Sequence, residues 1–236
     1  MLIALKFTLI IIISYFIGNF SFARIISKKK NSDITKLGSG NPGTMNMLRN
    51  FGFKTGLITL ILDAVKGAVP ALIGFLMFGG ASGGAMAYIG LYTAGLSVVL
   101  GHNFPLLYKF KGGKGVACML GIFLVARPLE TLVVMVGVFI YLCIFDYAAF
   151  GSFILITAIT LFEAGRITDA GYPDDLALIL KLLLFVLFFL CWFMHRQNIF
   201  RMLIGKENKV NLLNSIKKLG KKARKERKEA KQKDIG

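Results

Sequence analysis

The sequence predicts an all-α integral membrane protein with about seven transmembrane helices, its N-terminus outside the cell and its C-terminus inside. Hydrophobic residues make up 56% of the 236-residue chain, and charged residues only 17%. The hydrophobic residues form continuous runs, whereas in a soluble protein they alternate with polar residues at helix or strand spacing. Lys and Arg are concentrated in segments between these runs. Together these observations predict that the chain lies in a bilayer.

We predict seven crossings, in chain order 2–22, 56–78, 85–100, 116–126, 129–145, 147–162 and 176–194. A transmembrane helix needs about 20 apolar residues. The run at 116–126 is short by this standard and Pro128 follows it, so five or six full crossings are the alternative. The run at 2–22 is too long for the apolar part of a cleaved signal peptide.

The basic residues predict the orientation. Seven Lys and Arg residues lie in 24–54, three in 101–115 and fourteen after His195, which together are 24 of the 29 in the chain. An odd number of crossings puts these three segments on one face, and the positive-inside rule makes that face cytoplasmic. Topology thus accounts for the net charge of +17, which gives no indication of nucleic-acid binding.

The three cysteines lie inside apolar runs. Cys118, Cys143 and Cys191 show neither metal-ligand spacing nor a disulfide framework, so we interpret them as packing residues. No other pattern in the sequence calls for a metal ion or a cofactor, and we expect neither.

The polar segment GHNFPLLYKFKGGKG at 101–115 predicts an anion site. Glycines around Lys114 leave backbone N–H groups open to an anion, and the apolar run from Val116 places a helix N-terminus behind them. Lys111 and Lys114 add positive charge, which suits phosphate. The segment is not a P-loop, because no Ser or Thr follows the lysine. The alternative is a basic cytoplasmic loop whose lysines only set topology.

The segment SGNPGTMNMLR at 39–49, preceded by Gly38, matches the spacing GxGxxG. We reject a dinucleotide site, because that motif needs a preceding strand and a βαβ unit, and here it lies between apolar runs. Ser39 and Asn41 instead predict a tight turn with hydrogen-bonding side chains, and Arg49 offers a planar guanidinium for phosphate. A flexible loop with a topological Arg is the alternative.

Asp63 and Lys66 lie three residues apart inside the second apolar run. Ionisable groups at such a depth are costly and are usually paired or functional. We predict a mutual ion pair that orients the helix, in preference to a direct role in chemistry.

The last apolar run is followed by HRQNIFR at 195–201, which contains one of the two histidines in the chain. On a continued helix His195, Asn198 and Arg201 would lie near one face, because three residues nearly complete a turn. They form a second polar cluster on the predicted cytoplasmic face. The alternative is a polar interfacial cap without a chemical role.

Three segments resemble the signature motifs of the bacterial acyl-phosphate-dependent glycerol-3-phosphate acyltransferases. They are SGNPGTMNMLR at 39–49, GHNFPLLYKFKGGKGVA at 101–117 and HRQNIFRMLIGKENK at 195–209, and LDAVKGAVP at 62–70 is also similar. The order, separation and interleaved apolar runs agree as well. The resemblance covers about residues 2–209 and leaves only the basic tail outside it.

The resemblance implies a seven-helix enzyme of the bacterial inner membrane whose active site opens to the cytoplasm. Such an enzyme transfers a fatty acyl group from acyl phosphate to the 1-hydroxyl of sn-glycerol 3-phosphate, which gives lysophosphatidate and inorganic phosphate and begins phospholipid synthesis. The predicted catalytic residues are Ser39, Arg49, Lys114, His195 and Asn198. The predicted substrate-binding residues are Asn41, Gly43, Asn46, His102, Lys111, Gly112, Gly113, Gly115 and Arg201. The resemblance gives Glu207 a structural role.

The chemistry of the two substrates agrees with this set. Both carry phosphate, so the site must concentrate positive charge near the membrane surface. The acyl chain needs only an apolar groove between helices. No Ser-His-Asp arrangement is evident, so we expect direct transfer without an acyl-enzyme. His195 is the candidate base for the attacking hydroxyl, and a phosphate oxygen of the substrate is the alternative.

Four positions depart from the family pattern. Met45 and Cys118 stand where the family usually has Thr, and Asp146 and Ala149 replace the Arg and Ser of an Arg-Tyr-x-Ser stretch. If that Ser contacts phosphate, Ala149 cannot. A paralogue with a changed donor or acceptor therefore stays open.

We predict two parts, a membrane-embedded acyltransferase domain at 1–209 and a disordered basic cytoplasmic tail at 210–236. The tail is expected to be attracted to anionic membrane lipid, and it has no aromatic residues that would support nucleic-acid binding. We also expect transient contact with the soluble enzyme that produces acyl phosphate, because the product of that enzyme would be the substrate here.

A transporter of a phosphorylated solute is the alternative from another functional class. A transport path would place polar residues along several helices through the midplane of the bilayer. Here the candidate anion-binding residues, apart from Asp63 and Lys66, gather at one face. The sequence thus favours an enzyme at the interface.

Overall fold

The computed structural model describes residues 1–80 and 84–233, and in its last helix it describes side chains up to Lys221 and at Arg224. Eleven α-helices and no strands are found in these residues. In chain order the helices are α1 (Leu2–Asn19), α2 (Phe22–Lys29), α3 (Thr44–Phe51), α4 (Phe53–Met77), α5 (Ala85–Asn103), α6 (Val116–Ala126), α7 (Pro128–Phe145), α8 (Ala148–Asp169), α9 (Asp174–Met194), α10 (Arg196–Leu203) and α11 (Leu212–Lys233).

Six helical segments of the described chain are long and apolar enough to cross a membrane. They are Leu2–Lys29, Phe53–Met77, Ala85–Tyr108, Pro128–Phe145, Ala148–Asp169 and Asp174–Met194. Apolar side chains also cover the outside of the bundle; Leu129 and Val133 on α7, for example, are 74% and 72% exposed. Such a surface is stable in lipid and would be costly in water, so the structure supports the predicted membrane fold.

The predicted fourth crossing, 116–126, is the 11-residue helix α6. At 1.5 Å per residue it is roughly 16 Å long, about half of a hydrocarbon core. It begins at the cavity described below, and Arg127, which follows it, contacts Glu163 of α8.

The central helix of the bundle is α5, which packs against α1, α4, α6 and α9. Its side chains are mostly buried, Leu91 and Tyr92 completely. The short α6 lies very close to α4, because a Cβ at Gly121 would lie 1.9 Å from the carbonyl oxygen of Ala64. Small residues allow this kind of contact between membrane helices. A Cβ at Gly67 of α4 would likewise lie 2.1 Å from the carbonyl oxygen of Cys118, so the start of α6, and hence the lysine loop before it, is fixed against α4.

At the opposite end of the bundle a buried carboxylate joins two segments. Glu163, which is fully buried, accepts hydrogen bonds from Arg127 at 2.7 Å and from Arg166 at 2.7 and 3.1 Å. Arg166 also donates to the hydroxyl of Tyr172 and lies over the ring of Tyr88. This network ties α8 to the start of α7.

The tail differs from the sequence prediction. We expected disorder from 210 onward, but the structure has the helix α11 over Leu212–Lys233, and residues 234–236 lie outside the described part. The difference has a physical cause at the start of the helix. Val210 and Leu212 are buried and pack with Leu48 and Leu142, so the tail begins on the surface of the bundle.

Candidate active site

A cavity of about 320 Å³ opens at the end of the bundle where α1, α5, α7 and α9 finish. Its walls come from the three segments singled out in the sequence, from Leu60 and Asp63 of α4, and from the starts of α6 and α8. Eleven predicted site residues line it: Ser39, Asn41, Gly43, Asn46, Arg49, His102, Gly112, Lys114, His195, Asn198 and Arg201. Lys111, Gly113 and Gly115 do not line it, and the Lys111 side chain is exposed.

The first wall is the tight turn predicted around Ser39. Gly38 and Gly40 have φ angles of +53° and +70°, values that glycine adopts without strain. The amide of Asn46 holds the turn, accepting from the Ser39 N–H at 3.1 Å and donating to the carbonyl oxygen of Leu37 at 2.9 Å. Asn46 therefore shapes the wall that presents the Ser39 side chain.

Arg49 lies in the last turn of the short helix α3, separated from α4 by Gly52. Its Nε is buried without a hydrogen-bond partner in the described residues. Burial lowers the pKa of this guanidinium, an effect that Glu207 opposes and Arg201 adds to. The Arg49 guanidinium therefore has an unpaired donor with which it could bind an anion in the cavity.

The second wall is the glycine-lysine loop, packed tightly against the end of α5. A Cβ at Gly112 would lie 2.0 Å from the carbonyl oxygen of His102, and one at Gly113 would lie 2.3 Å from His102 Nε2. Gly115 has a φ of +79° and begins α6. The predicted helix N-terminus behind the loop is confirmed. Gly113 and Gly115 thus position Lys114 and the start of α6 from behind the cavity.

A hydrogen-bond chain links three polar residues of the third segment to Lys114. Lys114 Nζ donates to the amide oxygen of Asn198, whose amide nitrogen donates to Glu207 at 2.7 Å. Arg201 Nε donates to the same carboxylate at 3.1 Å. Burial lowers the pKa of Lys114 to about 8, which Glu207 opposes, while Arg201 and Arg49 lower it further. Three cations therefore converge on the cavity around one carboxylate.

His195 lies at the break between α9 and α10, so the helix does not continue as the sequence suggested. Its Nδ1 lies 2.7 Å from the carbonyl oxygen of Cys191, and because a carbonyl only accepts, Nδ1 carries the hydrogen. Nε2 then has the free lone pair. Burial, and then the charge of Lys114, lower the pKa of His195 to about 4, so the ring is neutral at physiological pH.

The predicted Asp63–Lys66 ion pair is confirmed. Lys66 Nζ lies 2.9 Å from Asp63 Oδ1, 2.9 Å from His102 Nδ1 and 2.6 Å from the carbonyl oxygen of Phe20. Asp63, His102 and Cys118 each bring one potential metal ligand to within 4.8 Å of the others. The ammonium of Lys66, however, already supplies the positive charge there. Lys66 thus joins α4 to the ends of α1 and α5 beneath the cavity.

This site matches a known family over most of the chain. A family model described as glycerol-3-phosphate acyltransferase matches residues 8–205. The chain belongs to the glycerol-3-phosphate acyltransferase family. The match contains all three segments that line the cavity as far as Gly205, and it ends before α11.

Individual members of the family are about one-third identical to the chain. A glycerol-3-phosphate acyltransferase of Finegoldia magna is 36% identical over 84% of this chain and 93% of its own length, and one of Aquifex aeolicus is 35% identical over 87% and 100%. Two crystal structures of PlsY (YgiH), an integral membrane glycerol 3-phosphate acyltransferase, are 33% identical and cover 86% of this chain and 94% of their own. The glycerol 3-phosphate form has a TM-score of 0.74 and the lysophosphatidic acid form 0.72. The protein is an integral membrane protein.

The structure locates the four positions that we expected to depart from the family pattern. Met45 and Ala149 line the cavity, whereas Cys118 is buried in the helix core. Ser152, three residues after Ala149, also lines the cavity, so a hydroxyl remains on that face of α8 one turn deeper. Asp146 lies outside the cavity and caps the tail helix.

Sequence reasoning missed several polar residues of the cavity: Thr44, Ser152, Arg196, Gln197 and Asn208. Thr44, Gln197 and Asn208 stand within the three segments already singled out, so their positions were the available signal. Ser152 lies in an apolar run and only helical spacing from Ala149 could have indicated it.

Proposed function

We propose that the protein is an acyl-phosphate-dependent glycerol-3-phosphate 1-O-acyltransferase. The observation that carries this proposal is the convergence of Arg49, Lys114 and Arg201 on one cavity that also contains a neutral histidine. Three cations suit the two phosphate-bearing substrates, and the family's relatives are named for the acceptor. Structures of a relative in glycerol 3-phosphate and lysophosphatidic acid forms support the same acceptor and product.

The acceptor phosphate is assigned to Lys114, Arg49 and the loop at Gly112. A half-buried lysine and a half-buried guanidinium provide charge-assisted hydrogen bonds, which are stronger than neutral ones. The hydrogen bonds from Lys114 to Asn198 and from Asn198 to Glu207 fix the Lys114 ammonium in one position. Asn198, Asn46 and His102 are then positioning residues, and Ser39 and Asn41 provide polar groups at the cavity wall.

In the transfer step O1 of glycerol 3-phosphate attacks the acyl carbonyl carbon and the bond from that carbon to the phosphate oxygen breaks. Inorganic phosphate leaves with the electron pair of that bond, and the hydroxyl proton must go to a base. His195 Nε2 can accept a hydrogen bond from the hydroxyl, but with a pKa of about 4 it is a weak base. A phosphate oxygen, with a second pKa of about 6, is the stronger final acceptor.

The acyl chain of the donor is assigned to an aromatic groove beside the cavity. The groove has a volume of about 510 Å³ and is lined by Tyr141, Phe145, Tyr147, Phe150, Met202, Gly205 and Glu207. Phe145 and Phe150 are also about half exposed on the outside of the bundle. Because Glu207 lines both spaces, an acyl chain in the groove would place its head near the cations.

We infer that the cavity faces the cytoplasm of a bacterial cell and that residues 1–209 form the catalytic membrane domain. The basic segments at 24–54, 101–115 and after His195 all lie at the cavity end, as the positive-inside rule requires for a cytoplasmic face. A water-soluble acceptor and a soluble enzyme that supplies acyl phosphate could both reach the site from that side.

The proposal is tested with the purified chain in neutral-lipid nanodiscs, supplied with palmitoyl phosphate and glycerol 3-phosphate while phosphate and lysophosphatidate are measured together. We expect equal amounts of both products. Lys114→Ala should lower kcat/KM for glycerol 3-phosphate by roughly 10- to 100-fold, the effect of losing a charged hydrogen bond. The exposed Lys109→Gln serves as a control. A folded wild type without turnover, or with turnover of another acceptor only, would overturn the assignment.

A further inference from the structure

The tail helix α11 is fixed to the bundle by Asp146, which was expected to depart from the family pattern. Asp146 Oδ1 accepts from the backbone N–H of Leu212 at 2.9 Å, and its carbonyl oxygen accepts from the N–H of Val210 at 2.9 Å. A carboxylate on an N-terminal N–H caps a helix and complements its dipole. Asp146 has a φ of +64°, which directs the chain into α8 from this point.

Apolar packing on the bundle adds to this cap. Leu212 and Val210 are buried against Leu48, Leu142 and Ala148, and Ile216 packs against the same cluster one turn later. Packing and cap together fix the direction of α11 across the surface beside α4 and α7. The basic side chains of the helix therefore have a defined location, which a disordered tail would not give them.

A groove of about 890 Å³ lies between this helix and the bundle. Six cations line it, namely Arg49, Lys209, Lys217, Lys218, Lys221 and Arg224, together with the neutral polar residues Asn211, Asn214 and Ser215. None of the described residues that line it is acidic. Lys217, Lys221 and Arg224 follow the spacing of one helical face, so their charges add along one side of the groove.

The groove and the cavity of the candidate active site share one lining residue. Arg49 lines both spaces, and its Nε has no hydrogen-bond partner in the described residues. The groove also lies at the cavity end of the bundle, where the apolar helices finish and lipid headgroups would be found. An anion held by the groove would therefore belong to the membrane surface beside the active site.

We propose that α11 and Arg49 form a binding site for the phosphate headgroup of an anionic phospholipid. The six cations are opposite in sign to a phosphodiester, none of the described residues that line the groove is acidic, and the volume is ample for a headgroup. The exposed Leu213 and Leu219 give the helix apolar side chains for the lipid interface. The site lies in the part of the chain beyond residue 205, which the family model does not match, apart from Arg49.

Lipid retention on the full chain tests this site. The protein is released from nanodiscs of equal phosphatidylcholine and phosphatidylglycerol, and the lipids that it retains are counted by native mass spectrometry. We expect wild type to retain phosphatidylglycerol several-fold over phosphatidylcholine and Lys217→Gln/Lys221→Gln/Arg224→Gln to lose this preference. Lys28→Gln/Lys29→Gln/Lys30→Gln is the matched control, since it removes three exposed charges from another basic segment. The site is wrong if both triple variants lose the phosphatidylglycerol preference equally, or if neither variant loses it.

A second pair of variants separates a docked site from a merely basic tail. Asp146→Gly removes the cap while tolerating the positive φ, and Asp146→Asn keeps an oxygen for the cap. We expect Asp146→Gly to expose the backbone amides of 212–221 to faster hydrogen exchange and to lose the phosphatidylglycerol preference, while Asp146→Asn keeps both. If Asp146→Gly keeps the preference despite faster exchange, tail charge alone attracts the lipid and the docked site is wrong.

The same nanodiscs distinguish a lipid headgroup from free inorganic phosphate as the ligand. Inorganic phosphate, added to protein in phosphatidylcholine alone, should leave the hydrogen exchange of 212–221 unchanged, whereas phosphatidylglycerol should slow it. Slower exchange with inorganic phosphate alone would identify the ligand as a free anion and overturn the lipid assignment. These readouts need no acyltransferase activity, so failure of the lipid site and failure of the proposed function are distinguishable.

Discussion

Asn198 donates a 2.7 Å hydrogen bond to Glu207 while its amide oxygen accepts one from Lys114. One neutral side chain thus connects a half-buried cation to a carboxylate that Arg201 also contacts. An amide can do this because it has a donor and an acceptor at fixed separation. The charge and the position of Lys114 are therefore set by residues about 84 to 93 positions later in the chain, and this arrangement determines the first two predictions.

The proposed activity should have a basic limit set by Lys114. With its pKa lowered to about 8, the ammonium loses its proton above that pH, and the acceptor phosphate loses its main cation. We expect kcat/KM for glycerol 3-phosphate to decline above about pH 8. Lys114→Arg, whose guanidinium stays charged, should move the decline to higher pH even if its maximal rate is lower. An unchanged pH profile in Lys114→Arg would exclude Lys114 as the titrating group.

Glu207→Gln should shift the same limit in the opposite direction. The carboxylate raises the pKa of Lys114, so a neutral amide of the same size should let that pKa fall below about 8. We expect the decline in kcat/KM to begin at lower pH, with a smaller loss at the optimum than in Lys114→Ala. Asp169→Asn removes an equal charge from an exposed position at the end of α8 and serves as the control. A shift of the same size in Asp169→Asn would indicate a general charge effect.

The burial of His195 should make the protein less stable in acid. Its folded-state pKa of about 4 is below the ordinary 6.5, so the unfolded chain binds the proton more tightly. Stability from this group is fully present above about pH 6.5 and is lost as the pH falls towards 4, by at most about 3 kcal/mol. Thermal unfolding at several pH values should therefore show a smaller acid-induced drop in Tm for His195→Gln than for wild type. Identical drops would contradict the assignment.

Glu163→Gln should destabilise the fold without altering the cavity. The carboxylate is fully buried and binds both Arg127 and Arg166, so the substitution removes the counter-charge of two cations. Removing one partner of a buried pair costs about 3 to 5 kcal/mol, and partial exposure of both arginines places this case at the lower end. Denaturant unfolding in detergent measures the change. Glu130→Gln, in the first turn of α7, should cost less than about 1 kcal/mol.

Much of this architecture follows from the sequence because its signals are local. Continuous apolar runs predict membrane helices, since the backbone must satisfy its own hydrogen bonds in lipid. The boundaries of the runs were close to those of the helices, except that α8 extends to Asp169, seven residues beyond the predicted run. The helix predicted after the glycine loop does begin at Val116. The three-residue spacing of Asp63 and Lys66 also predicted their ion pair, because neighbours on a helix face meet whatever surrounds them.

The tertiary structure alone decided what lies beyond such spacing. It brought Lys114 to Asn198, exposed Lys111, and turned Asp146 from an unexplained departure into the cap of α11, since each of these depends on packing between distant segments. Composition suggested a disordered tail, because a basic sequence cannot bury itself. It could not show that Val210 and Leu212 find a prepared apolar surface on Leu48 and Leu142. Sequence determined which residues could do the chemistry, and packing decided which of them share a site.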